Sequence, residues 1–323
     1  MNKYKKVNFV LESFLRYYHS VTEAPAEFRK MVRRGVVMFK VLFFDSGVGG
    51  LSVYCDVMAE YPEIEPCFLF DNAFFPYGDK PSEFIRDRVT SLICRMTELY
   101  HFDMTVVACN TASTIALDAL RSKISIPVVG VVPAIKPAAR LTKKKIIGLL
   151  ATPGTVARSY THDLIRDFAL GTQVISIGTT DLVRIAEDKL AGLKVSIDEI
   201  AAVLAPWTAL PEKERPDVIV LGCTHFPHLK NEIHEVMPEA MLIDSGRAIG
   251  RRVKSLLGAM PQDGNNNPAI SVAISEGALG KDFAGGTAFC TDMSILSERN
   301  KLVFNRFGFT ECRELCMPKM SGN

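Results

Sequence analysis

Short, continuous apolar runs of four to six residues alternate with longer stretches of helical periodicity along most of this chain. That alternation constrains the fold more than any other feature. The runs fall at 41–45 (VLFFD), 67–70 (CFLF), 104–108 (MTVVA), 127–132 (PVVGVV), 146–150 (IIGLL), 173–177 (QVISI), 217–222 (DVIVLG) and 241–244 (MLID). A run apolar at every position suits a strand covered on both faces, as in parallel sheets flanked by helices. The clearest intervening helix is 82–100, where Ile85, Val89, Leu92, Ile93, Met96 and Leu99 recur at three- and four-residue steps. The pattern predicts an α/β fold with two mainly parallel sheets. The length of 323 residues agrees, at about 150 residues per domain.

Two regions break the pattern. Residues 1–40 carry nine Lys/Arg against three Glu and no strong strand, so 1–39 reads as an N-terminal extension. Residues 258–288 concentrate Gly and Asn and read as a loop or linker, followed by a helix over 293–308 ending at Gly308. The net charge of only +2 argues against nucleic acid as a main partner. No apolar run approaches the roughly 18 residues of a membrane helix, so no membrane partner is expected. Eight cysteines spread over the whole length do not resemble a disulfide framework. With no signal-peptide core in view, a cytoplasmic protein with reduced thiols is expected.

Two segments echo one another. Val106-Val107-Ala108-Cys109-Asn110-Thr111 and Val220-Leu221-Gly222-Cys223-Thr224-His225 each read as buried strand, cysteine, small polar residues, helix. Asp45-Ser46-Gly47 is likewise echoed by Asp244-Ser245-Gly246. In open α/β sheets ligands bind beyond the carboxyl ends of strands, where both cysteines would stand. A helix N-terminus there favours thiolate over thiol, and its N–H groups can hold a carboxylate. Two thiols on opposite sides of a carbon acid suit racemisation, one removing the α-proton and the other returning a proton to the opposite face. A single nucleophilic cysteine, as in a thiol hydrolase, and two buried structural cysteines are the competing readings.

The loop Asp45-Ser46-Gly47-Val48-Gly49-Gly50 is neither a dinucleotide fingerprint nor a P-loop. It is a tight strand-to-helix turn or a backbone cradle for an anion with Asp45 aimed into a cleft. A metal is not expected, because Cys312 and Cys316 lack zinc-site spacing and a second ligand pair. His225 suits proton handling beside Cys223, and His228 is expected to be exposed. Cys55, Cys67, Cys94 and Cys290 read as packing residues.

The stretches FFDSGVGGLSV (43–53), LFDNAFFPYGDK (69–80), VVACNTAS (106–113), IPVVGVVPAIKPAARL (126–141), GLLATPGTV (148–156), VLGCTHFP (220–227) and IDSGRAIGRRV (243–253) together resemble the glutamate racemases of the cofactor-independent aspartate/glutamate racemase superfamily, in their Gram-negative branch. The resemblance runs from about residue 40 to 257 and more loosely to about 315. It implies two pseudo-symmetric α/β domains, 40–134 plus 243–320 and 135–242, around an interdomain cleft. It implies interconversion of L- and D-glutamate without pyridoxal phosphate or metal, supplying D-glutamate for peptidoglycan. Cys109 would handle the proton of D-glutamate and Cys223 that of L-glutamate. Asp45 would assist Cys109, and His225 and Glu187 would assist Cys223. Ser46, Tyr77, Gly78, Asn110, Thr111, Thr152, Thr155 and Thr224 match substrate-holding positions, and Asp71 a further supporting carboxylate. The branch implies activation by UDP-N-acetylmuramoyl-L-alanine at the hinge, and a monomer or homodimer. A racemase of aspartate or another acidic substrate, and a non-catalytic binding protein on the same scaffold, are the alternatives.

Overall fold

The computed structural model of the protein describes residues 39–260 and 286–317. The N-terminal extension, except for Phe39, and most of the 258–288 stretch lie outside the described residues. Among the described residues, ten strands form two all-parallel sheets. The first six in the order β10-β9-β2-β1-β3-β4 are Glu311–Glu314, Thr287–Cys290, Ile64–Phe70, Phe39–Asp45, Met104–Val107 and Val128–Gly130. The other sheet runs β6-β5-β7-β8, comprising Gln173–Gly178, Ile146–Ala151, Val218–Leu221 and Met241–Ile243. The chain crosses from the first sheet to the second through the helix Ile135–Leu141 and returns through the helix Gly246–Leu257.

All eight apolar runs are strands, with ends trimmed by one or two residues at several of them. Strand β1 shows why they are continuous. Val41 and Phe43 enter one core cluster and Leu42 and Phe44 the opposite one, as the period of two requires. All four are fully buried, each worth roughly 1.5–3 kcal/mol of apolar transfer. Two strands went unread. β9 is short and straddles the end of the glycine-rich region, and β10 (ECRE) is an edge strand whose side chains are only half covered.

The 82–100 periodicity is a helix, Ser82–Leu99, with Ile85, Val89, Leu92, Ile93 and Met96 buried. The last helix begins at Glu298 rather than 293, with Ser297 accepting the Asn300 N–H as its N-cap. Its end is as expected. Gly308 adopts φ +92°, its N–H donates to Asn305 O (3.0 Å), and Phe309 N–H donates to Phe304 O (2.9 Å). That pairing is a Schellman motif, and the rings of Phe304 and Phe309 pack edge to face across it.

Candidate active site

Register places the chemistry. Phe44 of β1 pairs with Val107 of β3, and Ala108 N–H donates to Phe44 O (2.7 Å), so Asp45 and Cys109 emerge side by side at the carboxyl ends of neighbouring strands. In the other sheet Leu150 pairs with Leu221, and Gly222 N–H donates to Leu150 O (2.7 Å), which sets Thr152 beside Cys223. The two strand-end sets line one cleft of about 320 Å³.

On the first wall, Cys109 is the N-cap of the helix Asn110–Lys123, and its Sγ accepts the Ala112 N–H at 3.5 Å. Ser46 Oγ lies 4.0 Å from that sulfur. The loop after β1 is an anion cradle, but the anions are the protein's own carboxylates. Ser46 N–H donates to Asp45 Oδ1 (2.6 Å), Gly50 N–H to Asp45 Oδ2 (2.5 Å), and Val48 N–H to Glu187 Oε1 (3.3 Å). Thr224 Oγ1 donates to Asp45 Oδ2 (3.2 Å) from the other wall.

On the second wall, Cys223 Sγ is 3.8 Å from His225 Nδ1, and His225 Nε2 is 2.9 Å from Glu187 Oε1 on the helix Asp181–Leu190. A relay of thiol, imidazole and carboxylate results. Between the walls three hydroxyls converge. Thr111 Oγ1 lies 3.5 Å from Thr152 Oγ1 and 3.4 Å from Thr155 Oγ1, and the last two are 3.0 Å apart. Asn110 lines the cleft with its Oδ1 buried and unpaired. Tyr77 and Gly78 line the cleft too, and Arg158 Nη1 donates to Ser82 Oγ (2.7 Å), linking the two parts of the chain that form its walls.

A sequence model of the Asp/Glu/Hydantoin racemase family matches residues 58–253. Glutamate racemase from Escherichia fergusonii is 47% identical over 278 residues, 86% of this chain and 91% of that protein. The crystal structure of Escherichia coli glutamate racemase in complex with L-glutamate and the activator UDP-MurNAc-Ala superposes with TM-score 0.76 at 45% identity, covering 86% of this chain and 98% of that one. Glutamate racemase from Thermus thermophilus, solved with β-chloro-D-alanine, gives TM-score 0.62 at 27% identity over 86% and 96% of the two chains. The chain belongs to the Asp/Glu/hydantoin racemase family, among its glutamate racemases.

Electrostatics in the racemase differ between the walls. Burial pushes the Cys109 thiol well above its ordinary value, the negative charge of Asp45 adds to this, and the Ala112 N–H opposes it. Burial also raises the Asp45 carboxyl, against the nearby His225 and its hydrogen bonds with Cys109 and the loop amides. Burial works to lower His225, but its hydrogen bonds to Cys223 and Glu187 overcome this and lift it well above the usual imidazole range. The imidazolium is therefore the favoured form.

Of the residues picked from sequence, Asp45, Ser46, Tyr77, Gly78, Cys109, Asn110, Thr111, Thr152, Thr155, Cys223, Thr224 and His225 all line the cleft. Glu187 stands behind His225. Asp71 stands further back, fully buried. It is held by Arg88 through two hydrogen bonds (2.9 and 3.0 Å) and by Thr291 Oγ1 (2.5 Å), and it accepts from Tyr77 OH (2.6 Å). It meets the cleft only through Tyr77. His228 is not exposed. It is half-buried and its Nε2 donates to Gly49 O (3.2 Å), because the segment after Cys223 is a 3₁₀ turn that folds back on the first wall. Burial first, and the charge of His225 second, hold it down to about 4.

Sequence reasoning passed over Phe75, Pro76, Val183 and Gly222, which complete the lining of the racemase cleft. Phe75 and Pro76 adjoin Tyr77-Gly78, so that stretch carried a signal; Val183 carried none beyond its helical face. Among the described residues no three His, Cys, Asp or Glu side chains cluster as a metal site requires. Nor, among them, is any helix long and apolar enough to cross a membrane.

Proposed function

We propose that this racemase inverts glutamate with two thiols, Cys109 and Cys223, and no cofactor. The observation that carries this is their placement at the carboxyl ends of β3 and β7, on facing walls of one cleft, each with its own proton-handling partner. From L-glutamate, the Cys223 thiolate takes the α-proton and leaves a carbanion. The Cys109 thiol then delivers its proton to the opposite face. D-glutamate departs, leaving Cys223 as thiol and Cys109 as thiolate; the reverse direction exchanges the roles, and no proton is consumed. His225 stabilises the Cys223 thiolate as its imidazolium partner, oriented by Glu187. Asp45, raised by burial, exchanges a proton with Cys109 as that thiol changes state.

The hydroxyls of Thr111, Thr152, Thr155, Thr224 and Ser46, with Asn110 and the Gly78 backbone, hold the carboxylates. Among the described residues no Lys or Arg lines the cleft, so the carboxylates meet neutral donors there, and the His225 imidazolium serves Cys223. The reading is tested by NMR of L-glutamate in D2O, following α-proton loss and D-glutamate build-up. Cys109→Ser and Cys223→Ser each abolish racemisation; retention in either variant sinks the two-thiol mechanism.

The E. coli enzyme was solved with UDP-MurNAc-Ala as its activator, and at 45% identity we extend that activator class to this racemase. Its rate with and without the nucleotide is the check. D-glutamate then serves peptidoglycan synthesis in the cytoplasm. We divide the chain into 40–134 plus 243–320 and 135–242, in keeping with the two sheets, and expect a monomer or homodimer with no nucleic-acid partner.

A further inference from the structure

Two histidines in the sequence His225-Phe226-Pro227-His228 invite comparison with a metal site, yet they enclose a piece of backbone. His225 caps the 3₁₀ helix Phe226–Leu229. That helix has three residues per turn, so residues three apart eclipse and both imidazoles project from one face. Pro227 between them fixes its own φ and favours the turn. What they face is Gly49, on the loop that follows β1 in the other sheet. A Cβ on Gly49 would lie 2.3 Å from His225 Nδ1, so the main chain there rests directly against the ring. His228 Nε2 donates to the carbonyl of the same residue, Gly49 O (3.2 Å).

We propose that His228 is a positioning residue: it clamps Gly49 against His225 and thereby holds that imidazole at Cys223. The proposal rests on His225 being the partner of Cys223. The clamp is itself anchored. Lys189 Nζ donates to His228 O (2.8 Å) and to Glu232 Oε2 (2.7 Å), and the ring of Phe307 meets His228 edge-on with centroids 6.3 Å apart. Gly49 O also accepts from Ser52 N–H on its own wall (3.0 Å), and Ser52 Oγ, 3.0 Å from that carbonyl, donates across to Thr224 O (2.8 Å), a second tie to the segment carrying His225. His228 is the donor that reaches the Gly49 carbonyl itself from that segment. Packing alone gives the contrary account, with His228 as filler beside Phe307.

The experiment compares kcat and KM for L-glutamate in the parent, His228→Leu, His228→Gln and His225→Asn. Leu keeps the bulk and loses the donor; Gln keeps an N–H donor. His228→Leu lowers kcat roughly tenfold with KM within about twofold, since a displaced imidazole costs turnover more than binding. His228→Gln restores most of that loss. The clamp is overturned if Leu stays within about twofold of the parent, or if Gln is as impaired as Leu. An active His225→Asn would instead overturn the role of His225, whereas an inactive one beside a parental His228→Leu overturns the clamp alone. Should the Leu variant not fold, ¹⁵N NMR of the parent decides. A His228 ring carrying its proton at Nε2 is expected at pH 7, and a neutral ring protonated only at Nδ1 refutes the proposal.

Discussion

Gly49→Ala is the sharpest perturbation of this site, because one methyl group meets the chemistry directly. The added Cβ would lie 2.3 Å from Nδ1, 2.6 Å from Cε1 and 2.6 Å from Cγ of His225. Gly49 is absent from the glycines with positive φ, so alanine brings no backbone strain and the effect is purely steric. To reach an ordinary contact of about 3.5 Å the ring must retreat by about 1 Å. It has little room: 2.9 Å to Glu187 on one side and 3.8 Å to Cys223 on the other. A displacement of about 1 Å at a catalytic group costs on the order of 100-fold in rate. Overpacking of this kind costs about 1–3 kcal/mol of stability. Circular dichroism of D-glutamate conversion gives kcat/KM, and urea unfolding gives stability. The expected result is a loss near 100-fold in kcat/KM in a protein still folded at 25 °C. A folded Gly49→Ala within about threefold of the parent refutes the contact-based reasoning about His225.

Gly171→Ala is the complementary case: φ is +73° and nothing lies within 4 Å, so it costs about 1 kcal/mol of stability, read by thermal melting, and leaves kcat unchanged. Asp71→Asn strips Arg88 of its bidentate partner and destabilises by about 2–3 kcal/mol in urea titration; a change below about 1 kcal/mol would mean the pair is dispensable. Asp56 is pushed up to about 6 from 3.8 by burial and then by Asp244, against Lys230 and Arg247. Because the folded-state value is the higher one, its charge costs stability as pH rises from about 4 to about 6, and in full above that. Asp56→Asn therefore melts higher than the parent at pH 8, by about 1–2 kcal/mol after allowing for solvent screening, and equals it near pH 4. The opposite ordering would refute the assignment.

The strands that build the site were legible because each is buried on both faces and so carries an unbroken apolar run. Asp45, Cys109 and Cys223 could then be placed by counting to the strand ends. β10 was illegible for the converse reason. At the sheet edge it needs no apolar run, and Glu311, Arg313 and Glu314 leave none to recognise. His228 was misplaced because local sequence does not show which way a short 3₁₀ turn faces; only the partner wall, 179 residues away, decides it. The cradle after β1 could not be resolved for a similar reason. Its amides do bind anions, but Glu187 arrives from the other half of the chain, and no spacing rule reaches that far.

The two walls of the cleft repeat the same strand–cysteine–turn plan but do not match in detail. One thiol has a buried carboxyl beside it, and the other an imidazole backed by a carboxylate. A molecule and its mirror image have equal free energy, so no such mismatch can tilt the final ratio of the two enantiomers. Under the proposed two-thiol mechanism, what it can set is the waiting state of the empty protein, namely which sulfur holds the proton when the next glutamate arrives. The unlike walls govern traffic through an equilibrium they are powerless to move.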